Sequence, residues 1–357
     1  MDSDSALARL GWTAQRQQHL NALADPELMA ARVSGEDRGR YELLGCSVTF
    51  ARLAGRSRHQ GTVLPAVGDW VAVMPKPEAG VIRHVLPRTS LLERKRPGVE
   101  QPQVVVANVD VVFIVVSAEH EPNLRRIERT LAVVAAGGAR AVVVLNKIDL
   151  AADPARDVRD VQAVTAGVTC LATSAAVGTG VGDVRAVLGP GVTAALLGPS
   201  GAGKSSLMNA LLGDHRLATG AVRTTDGKGR HTTTRRQLIE LPGGGALVDT
   251  PGMRELGLWD AGEGIEQAFS DVTELAAACR FGDCQHRGEP GCAVAAALQD
   301  GQLDAGRFGS FDKLRRENDF QERQRDPSAA AASKGRWKTI HKQQRARRLA
   351  DPKLRGD

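Results

Sequence analysis

With 357 residues, 42% of them apolar, the chain can bury a large hydrophobic core, and this composition excludes a disordered protein. The net charge is +6, and three of the five cysteines fall within fourteen residues, which favours metal binding over disulfides. The longest apolar run, from Val104, contains Asn108 and Asp110 and is too short to span a bilayer, and the acidic start does not resemble a secretion signal. We therefore expect a cytoplasmic protein of two or three domains that binds no membrane.

The first two segments of the chain differ in residue pattern. Residues 1–38 form a polar arm that is predicted to contain one or two helices, the second starting after Asp25 and Pro26. In residues 39–100, short segments with β-branched residues are separated by glycine and proline turns. That pattern predicts a small antiparallel β-barrel, and an extra sheet without a binding role is the alternative.

Residues 101–262 alternate apolar runs with helical stretches, such as residues 124–138. The apolar runs, of which the first covers residues 104–117, are predicted to be buried strands. This alternation predicts an α/β domain with a parallel sheet and helices on both faces. Ligands bind such sheets beyond the carboxyl ends of the strands, where the motifs of this segment fall.

One motif, VLNKID at residues 144–149, is typical of guanine recognition. The carboxylate of Asp149 can accept two hydrogen bonds from guanine, whereas adenine offers an acceptor at the same edge. Asn146 can meet the other edge of the purine, and the apolar stem of Lys147 can lie over its ring. A surface turn is the alternative, but the loop expected to meet guanine O6 follows one strand later. The predicted base-binding residues are Asn146, Lys147, Ile148, Asp149, Thr173, Ser174 and Ala175.

A second motif, GPSGAGKS at residues 198–205, matches the phosphate-binding pattern G-x-x-x-x-G-K-[ST] between a strand and a helix. Its glycines allow backbone N–H groups to surround the β-phosphate, Lys204 supplies a cation, and Ser205 offers a hydroxyl to Mg²⁺. The predicted phosphate-binding residues are Gly198, Ser200, Gly201, Ala202, Gly203, Lys204, Ser205 and Ser206.

The remaining end of the nucleotide is predicted to be met by two switch segments. Asp249, in LVDTPG, would hold Mg²⁺ through water, and the N–H of Gly252 would bond the γ-phosphate. In the first switch, Thr233 is the favoured Mg²⁺ ligand, although the spacing does not separate it from its neighbours Thr232 and Thr234.

These motifs occur in the order base, base, phosphate, switch, switch, which is an ordinary guanine-nucleotide domain with its ends joined and a new cut elsewhere. Such a permutation can preserve every contact because the termini of a compact domain usually lie close together. The new cut attaches the C-terminal part almost directly to the second switch. Loss of the γ-phosphate is therefore expected to displace the C-terminal part through the second switch.

Residues 263–330 contain four residues spaced C-x4-C-x-H-x5-C, namely Cys279, Cys284, His286 and Cys292. Three thiolates and one imidazole suit tetrahedral Zn²⁺, and four protein ligands leave no position for catalytic water, so one structural zinc per chain is predicted. Unrelated cysteines are the alternative. The tail, residues 331–357, carries nine Lys or Arg against two Asp and predicts contact with a polyphosphate backbone, or else a solvated helix end.

The permuted motif order, the cysteine spacing and a barrel segment containing PAVGDW resemble the small ribosomal subunit biogenesis GTPases of the RsgA (YjeQ) family. The resemblance covers roughly residues 40–345. It implies an OB-fold barrel, a circularly permuted GTPase domain and a small helical zinc domain. It also implies GTP and GDP with Mg²⁺, binding to the 30S subunit and its 16S rRNA in late maturation, and hydrolysis that is slow alone and faster on the subunit. We expect a monomer, although no pattern fixes the oligomeric state.

Met253 follows Gly252 where many GTPases carry a glutamine that orients water, and methionine cannot do so. We hypothesise that His231 or a ribosomal group takes that role; the alternative for His231 is an RNA-contacting or merely exposed residue. Three functions stay open: a GTPase timer released by hydrolysis, an RNA-binding assembly factor gated by nucleotide, and, ranked last, a P-loop ATPase.

Overall fold

The computed structural model describes residues 3–54, 63–95, 102–165, 167–213, 236–249 and 261–325. Two short helices open the chain, α1 (Ser3–Arg9) and α2 (Ala14–Asn21). The second begins at an N-cap, where the Thr13 side chain accepts a hydrogen bond from the Arg16 N–H. No helix in these ranges is long and apolar enough to cross a membrane.

A closed five-stranded barrel follows the two helices. Its strands are β1 (Met29–Asp37), β2 (Arg40–Leu44), β3 (Phe50–Leu53), β4 (Trp70–Met74) and β5 (Gly80–Val85). β1 pairs with both β2 and β4, and β3 pairs with β5 in parallel, so the strands close in the order 1-2-3-5-4. The expected OB-fold barrel is thereby confirmed.

The predicted helix after Asp25 and Pro26 is wrong, because β1 occupies that place and begins the barrel earlier than residue 39. Two polar residues of the strand, Arg32 and Ser34, are buried along with their apolar neighbours, so the usual alternation of buried and exposed residues is lost. At its other end the predicted barrel segment includes β6 (Leu91–Lys95), which instead pairs with β7 (Pro102–Ala107) in a separate two-stranded sheet.

The central domain contains the predicted parallel sheet. Its strands are β8 (Val111–Ser117), β9 (Arg140–Asn146), β10 (Cys170–Ala172), β11 (Thr193–Leu197), β12 (Gln237–Glu240) and β13 (Ala246–Asp249). Their spatial order is β10-β9-β8-β11-β13-β12, and of these six strands β12 alone runs antiparallel to its neighbour. The phosphate-loop strand β11 therefore lies between β8, which precedes it in the chain, and β13, which follows it.

Helices cover both faces of this sheet, as predicted. They are α3 (Leu124–Ala136), α4 (Pro154–Val164), α5 (Val181–Ala186) and α6 (Lys204–Leu212). On β8, Val112 and Ile114 pack with α3 and α4, whereas Phe113 and Val115 pack with α5 and α6. Successive side chains of a strand point to opposite faces, which explains why these strands are almost continuously apolar.

The apolar run that was expected to form one strand is divided into β7 and β8 at Asn108, which has φ 54°. The buried Asn108 amide donates to the Gly68 carbonyl and accepts from the Thr89 N–H, so it joins the barrel segment to the start of the central sheet. The barrel and the sheet also share backbone pairing, since Gly35 of β1 lies opposite Gln237 of β12.

The C-terminal module is helical, with α7 (Gly262–Ala268), α8 (Ser270–Ala277), α9 (Ala293–Gln299) and α10 (Ala305–Arg325). α7 packs so closely on α3 that a Cβ at Gly264 would collide with the Ala132 carbonyl oxygen. The buried Arg307 of α10 bonds both to Glu128 of α3 and to Asp271 of α8. The module is thus fixed to the face of the sheet that carries α3.

Candidate nucleotide site and metal centre

The structure brings the nucleotide motifs together at one edge of the sheet. Asn146 ends β9, Asp249 ends β13, and the phosphate loop starts directly after β11. These three strands and β10, which is followed by Thr173, run parallel, so their carboxyl ends share an edge. The circular permutation therefore leaves the motifs in one place, although their order in the chain differs from the usual one.

The phosphate loop needs glycine at both ends. Gly203, with φ 89°, is the N-cap of α6, and a Cβ there would collide with the Asn146 side chain. Gly198, with φ 148°, lies so close to β8 that a Cβ would collide with the Val115 carbonyl oxygen. An L-residue is thus excluded at both positions by backbone conformation and by space.

Lys204 lies across the phosphate loop at the start of α6. Its Nζ donates to the carbonyl oxygens of Gly198 and Pro199 at 2.8 and 2.7 Å. The next residue, Ser205, is exposed, so its hydroxyl is accessible to a ligand, whereas Ser206 is half-buried and Ala202 is buried. The loop therefore offers a cation, the accessible Ser205 hydroxyl and the N-terminus of a helix to an anion.

Asn146 makes buried hydrogen bonds to two loops of the site. Its Nδ2 donates to the Ala202 carbonyl at 3.0 Å, and its Oδ1 accepts from the Ala175 N–H at 3.0 Å and the Thr173 hydroxyl at 3.3 Å. The residue is 1% exposed. Asn146 thus joins the phosphate loop to the base loop, a role that the sequence analysis missed, and its direct contact with a purine stays a prediction.

The other base-loop residues follow a tight turn. Lys147 adopts a left-handed conformation with φ 65° and leads into a single 3-10 turn, Ile148–Leu150, which carries the exposed Asp149. The Ile148 N–H donates to the Thr173 carbonyl at 3.1 Å, which ties this turn to the buried pair Thr173 and Ser174. Asp149 is therefore held at the rim of the site with its carboxylate open to solvent.

Glu119 is a site neighbour that the sequence analysis did not find. Its carboxylate oxygen lies 2.7 Å from Nζ of Lys147. Glu119 comes two residues after the carboxyl end of β8, and β8 is hydrogen-bonded to β9, so its proximity to the base motif could have been inferred from the strand order.

Asp249 is partly buried beside the phosphate loop. Burial raises the pKa of its carboxyl group, and the positive charge of Lys204 opposes that rise. A buried carboxylate that is short of compensating charge is suited to holding a divalent cation. Four other predicted site positions, His231, Thr233, Gly252 and Met253, lie outside the described residues, as does the basic tail.

The four predicted metal ligands form one cluster. Sγ of Cys279, Sγ of Cys284, a ring nitrogen of His286 and Sγ of Cys292 all lie within 4.8 Å of one another. Nδ1 of His286 is 3.6 Å from Sγ of Cys279 and 3.5 Å from Sγ of Cys292, and these two sulfurs are 3.9 Å apart. The cluster can hold one metal ion.

The cluster is built between the helices of the C-terminal module. Cys292 caps α9, where its Sγ accepts from the Ala295 N–H at 3.3 Å. The His286 ring packs edge-on against Phe308 of α10, with the ring centroids 6.0 Å apart. A metal here would therefore tie the loop between α8 and α9 to the helices around it.

Comparison with known proteins gives the family. A family model described as RsgA GTPase matches residues 85–259. A small ribosomal subunit biogenesis GTPase RsgA of Opitutus terrae is 45% identical, over 96% of this chain and 97% of the relative. One from Streptomyces coelicolor is also 45% identical, over 88% and 87%.

Solved structures agree with these matches. The crystal structure of YjeQ from Thermotoga maritima is 30% identical and has a TM-score of 0.62, covering 80% of this chain and 97% of that one. YloQ, described as a circularly permuted GTPase, shares the fold with a TM-score of 0.59 and 24% identity, covering 82% and 95%. This chain therefore belongs to the RsgA family of small ribosomal subunit biogenesis GTPases.

Proposed function

We propose that this protein binds the 30S subunit through its 16S rRNA, assists late maturation, and hydrolyses GTP to trigger its own release. The observation that carries the proposal is the meeting of base, phosphate and Mg²⁺ motifs at one sheet edge, in a chain whose relatives are named small ribosomal subunit biogenesis GTPases. Its place of action would be the cytoplasm, where it would work as a monomer.

In the nucleotide site, Asp149 would read guanine, and Lys204 would reach the β- and γ-phosphates after leaving the carbonyls of Gly198 and Pro199. Ser205 and Asp249 would hold Mg²⁺ with Thr233, and the Gly252 N–H would meet the γ-phosphate. The metal would neutralise charge that develops on the phosphate oxygens. Asp149→Asn should shift preference from guanosine towards xanthosine nucleotides, because an amide can donate to the extra oxygen; an unchanged preference would favour an ATPase.

We propose zinc as the metal of the cysteine cluster. In a tetrahedral site with Zn–S of about 2.3 Å and Zn–N of about 2.0 Å, neighbouring ligand atoms are about 3.5 to 3.8 Å apart, which agrees with the separations among Cys279, His286 and Cys292. Four protein ligands would make the site structural. Purified protein should contain one equivalent of zinc, and Cys284→Ser should lower both the zinc content and the unfolding temperature.

Two surfaces support RNA binding. On the barrel, the Arg40 guanidinium lies over the Phe50 ring at 3.8 Å, on the β2 and β3 strands that OB-folds use for nucleic acids. On the metal-binding module, Arg280 lies 5.5 Å from the centroid of the Phe281 ring, which is 45% exposed. The exposed Arg40 can contact phosphate, and the exposed Phe281 ring beside Arg280 can also stack on an unpaired base.

The attacking water would be oriented by His231 or by a ribosomal group, since Met253 cannot do so. Turnover of the free protein should then be slow and should rise on the subunit. If His231→Ala keeps full subunit-stimulated turnover, the histidine has no part in orienting water.

The test of the whole proposal is GTP and ATP turnover with and without purified 30S subunits, with Lys204→Ala as the blank. We expect slow GTP turnover that rises strongly with 30S, and no response to ATP. If 30S binding depends on GTP while turnover stays flat, the protein is a nucleotide-gated RNA-binding assembly factor with incidental hydrolysis, the alternative that Met253 favours.

A further inference from the structure

The ion pair between Glu119 and Lys147 occupies a defined place in the nucleotide site. Lys147 follows β9 directly and precedes the turn that carries Asp149, while Glu119 follows β8, the neighbouring strand. Nζ of Lys147 and Oε2 of Glu119 are 2.7 Å apart, and the Glu119 N–H donates to the Ser117 hydroxyl at 3.3 Å. The pair therefore connects two loops at the edge of the sheet where the motifs meet.

The left-handed backbone of Lys147 fixes the start of its side chain, and Glu119 fixes its end. With both ends held, the four-carbon stem between them has few conformations left, although lysine stems are otherwise among the most mobile side chains. The stem is apolar and can cover the face of a purine while its ammonium stays in contact with water and carboxylate. The lysine side chain is only 28% exposed, compared with 43% for Glu119.

The carboxylate is also suited to hold the cation at neutral pH. The hydrogen bond from Lys147 and its charge lower the pKa of Glu119, and the neighbouring His120 adds to the lowering. Glu119 is therefore negatively charged at neutral pH. A second acidic residue of the same loop, Glu121, is 82% exposed and lies 3.9 Å from Arg156 of α4.

We infer that Glu119 is a positioning residue of the nucleotide site, which holds the Lys147 stem in the place where it covers the guanine ring. This inference rests on the proposed function, because it assumes that the site binds guanine nucleotides. Glu119 touches neither the base nor the phosphates; it acts through Lys147. It should therefore affect nucleotide affinity and leave the chemical step alone.

The test is the dissociation constant for a fluorescent GDP analogue in wild type, Glu119→Gln and the matched control Glu121→Gln. Glu119→Gln should weaken binding about two- to fivefold, the range expected for an exposed ion pair, and Glu121→Gln should bind as wild type does. The deficit should shrink towards none at about 1 M salt, where such pairs are screened. The catalytic rate at saturating GTP and the unfolding temperature should both stay unchanged.

A double-mutant cycle separates positioning from a general charge effect. In a Lys147→Met background, which keeps an apolar stem but has no ammonium, Glu119→Gln should change affinity no further. An equal loss with and without Lys147 would overturn the inference, as would wild-type affinity of Glu119→Gln. If wild type itself fails to bind guanine nucleotides, the proposed function fails instead, so the two failures are distinguishable.

Discussion

The modules on either side of the GTPase domain are each attached by a buried arginine, but the partners of the two arginines differ. In the barrel, the bonds that Arg32 makes to described residues all go to carbonyl oxygens, those of Leu10, Gly68 and Asn108, and its guanidinium lies over the Trp70 ring at 5.0 Å. In the C-terminal module, Arg307 bonds to two carboxylates: it is 3.1 Å from Glu128, and both of its bonds to Asp271 are 2.6 Å.

The pKa shifts show what this difference means. Burial, and after it the charge of Arg16, lower the pKa of Arg32 to about 9, and the charges of Asp110 and Asp69 oppose this only in part. Burial acts in the same direction on Arg307, but the hydrogen bonds and charges of Asp271 and Glu128 outweigh it and raise the pKa. Arg32 therefore holds three backbone carbonyls together, and its own desolvation is costly. Arg307 instead neutralises a carboxylate that is itself buried.

Removing Arg307 should have the largest effect. Arg307→Met would leave Glu128, whose side chain is fully buried, with Arg125 as its remaining ion-pair partner among those described. We expect the free energy of unfolding to fall by about 3–5 kcal/mol, measured by urea denaturation. The control Arg316→Met removes an arginine that is 62% exposed and pairs with Asp312 on the same helix, and should cost less than about 0.5 kcal/mol.

A second substitution tests whether the buried Glu128 charge causes this loss of stability. Glu128→Gln in the Arg307→Met background removes a buried charge that has lost Arg307 and keeps the half-exposed Arg125, so it should recover part of the lost stability. If the double variant is less stable than Arg307→Met alone, the cost lies in packing rather than in the buried carboxylate.

Arg32→Met should cost less, about 1–3 kcal/mol, because it takes a donor from the Leu10 and Asn108 carbonyl oxygens, while Gly68 keeps the Asn108 amide, and it breaks no buried ion pair. The measurement is the same urea denaturation. If Arg32→Met proved more destabilising than Arg307→Met, the loss of a buried ion pair would not be the larger of the two costs.

The two arginines also explain what could be predicted from the sequence. The NKID and phosphate-loop motifs and the cysteine cluster are short, and their chemistry depends on neighbours in the chain, so their residues could be named in advance. Arg307 and Glu128 are 179 positions apart, and Arg32 and Asn108 are 76 apart, so no local pattern indicates either pair. β1 was missed for the same reason, because its buried Arg32 makes sense only once the carbonyls that surround it are known.

Low pH should reveal a smaller difference in stability between the attachments made by Arg307 and by Arg32. Burial raises the pKa of Asp271, but the hydrogen bond and charge of Arg307 outweigh it, so the net shift is downward from 3.8. A carboxyl with a lowered pKa stabilises the folded state above its unfolded pKa, and this contribution disappears as the pH falls through the folded value.

Wild type should therefore lose stability below about pH 3.8 more steeply than Arg307→Met, while Arg32→Met should keep the wild-type slope. Unfolding temperatures between about pH 5 and pH 3 would show this. The effect should be modest, because the Asp271 side chain is 41% exposed and its charge is partly screened by solvent. Parallel curves for wild type and Arg307→Met would contradict the prediction.

The smallest effect is expected from the surface link beside the Arg307 network. Arg129 of α3 and Glu317 of α10 form two bonds of 2.7 Å, yet their side chains are 33% and 31% exposed. Water competes for both partners and salt screens them, so Arg129→Gln should cost about 0.5–1 kcal/mol at low ionic strength and less at about 1 M salt. Urea denaturation at the two salt concentrations measures this difference. Arg129 and Arg307 join the same two helices, so a cost for Arg129→Gln as large as that for Arg307→Met would show that the module is attached by its surface pairs. A small, salt-sensitive cost would leave the buried carboxylate and its arginine as the main electrostatic attachment.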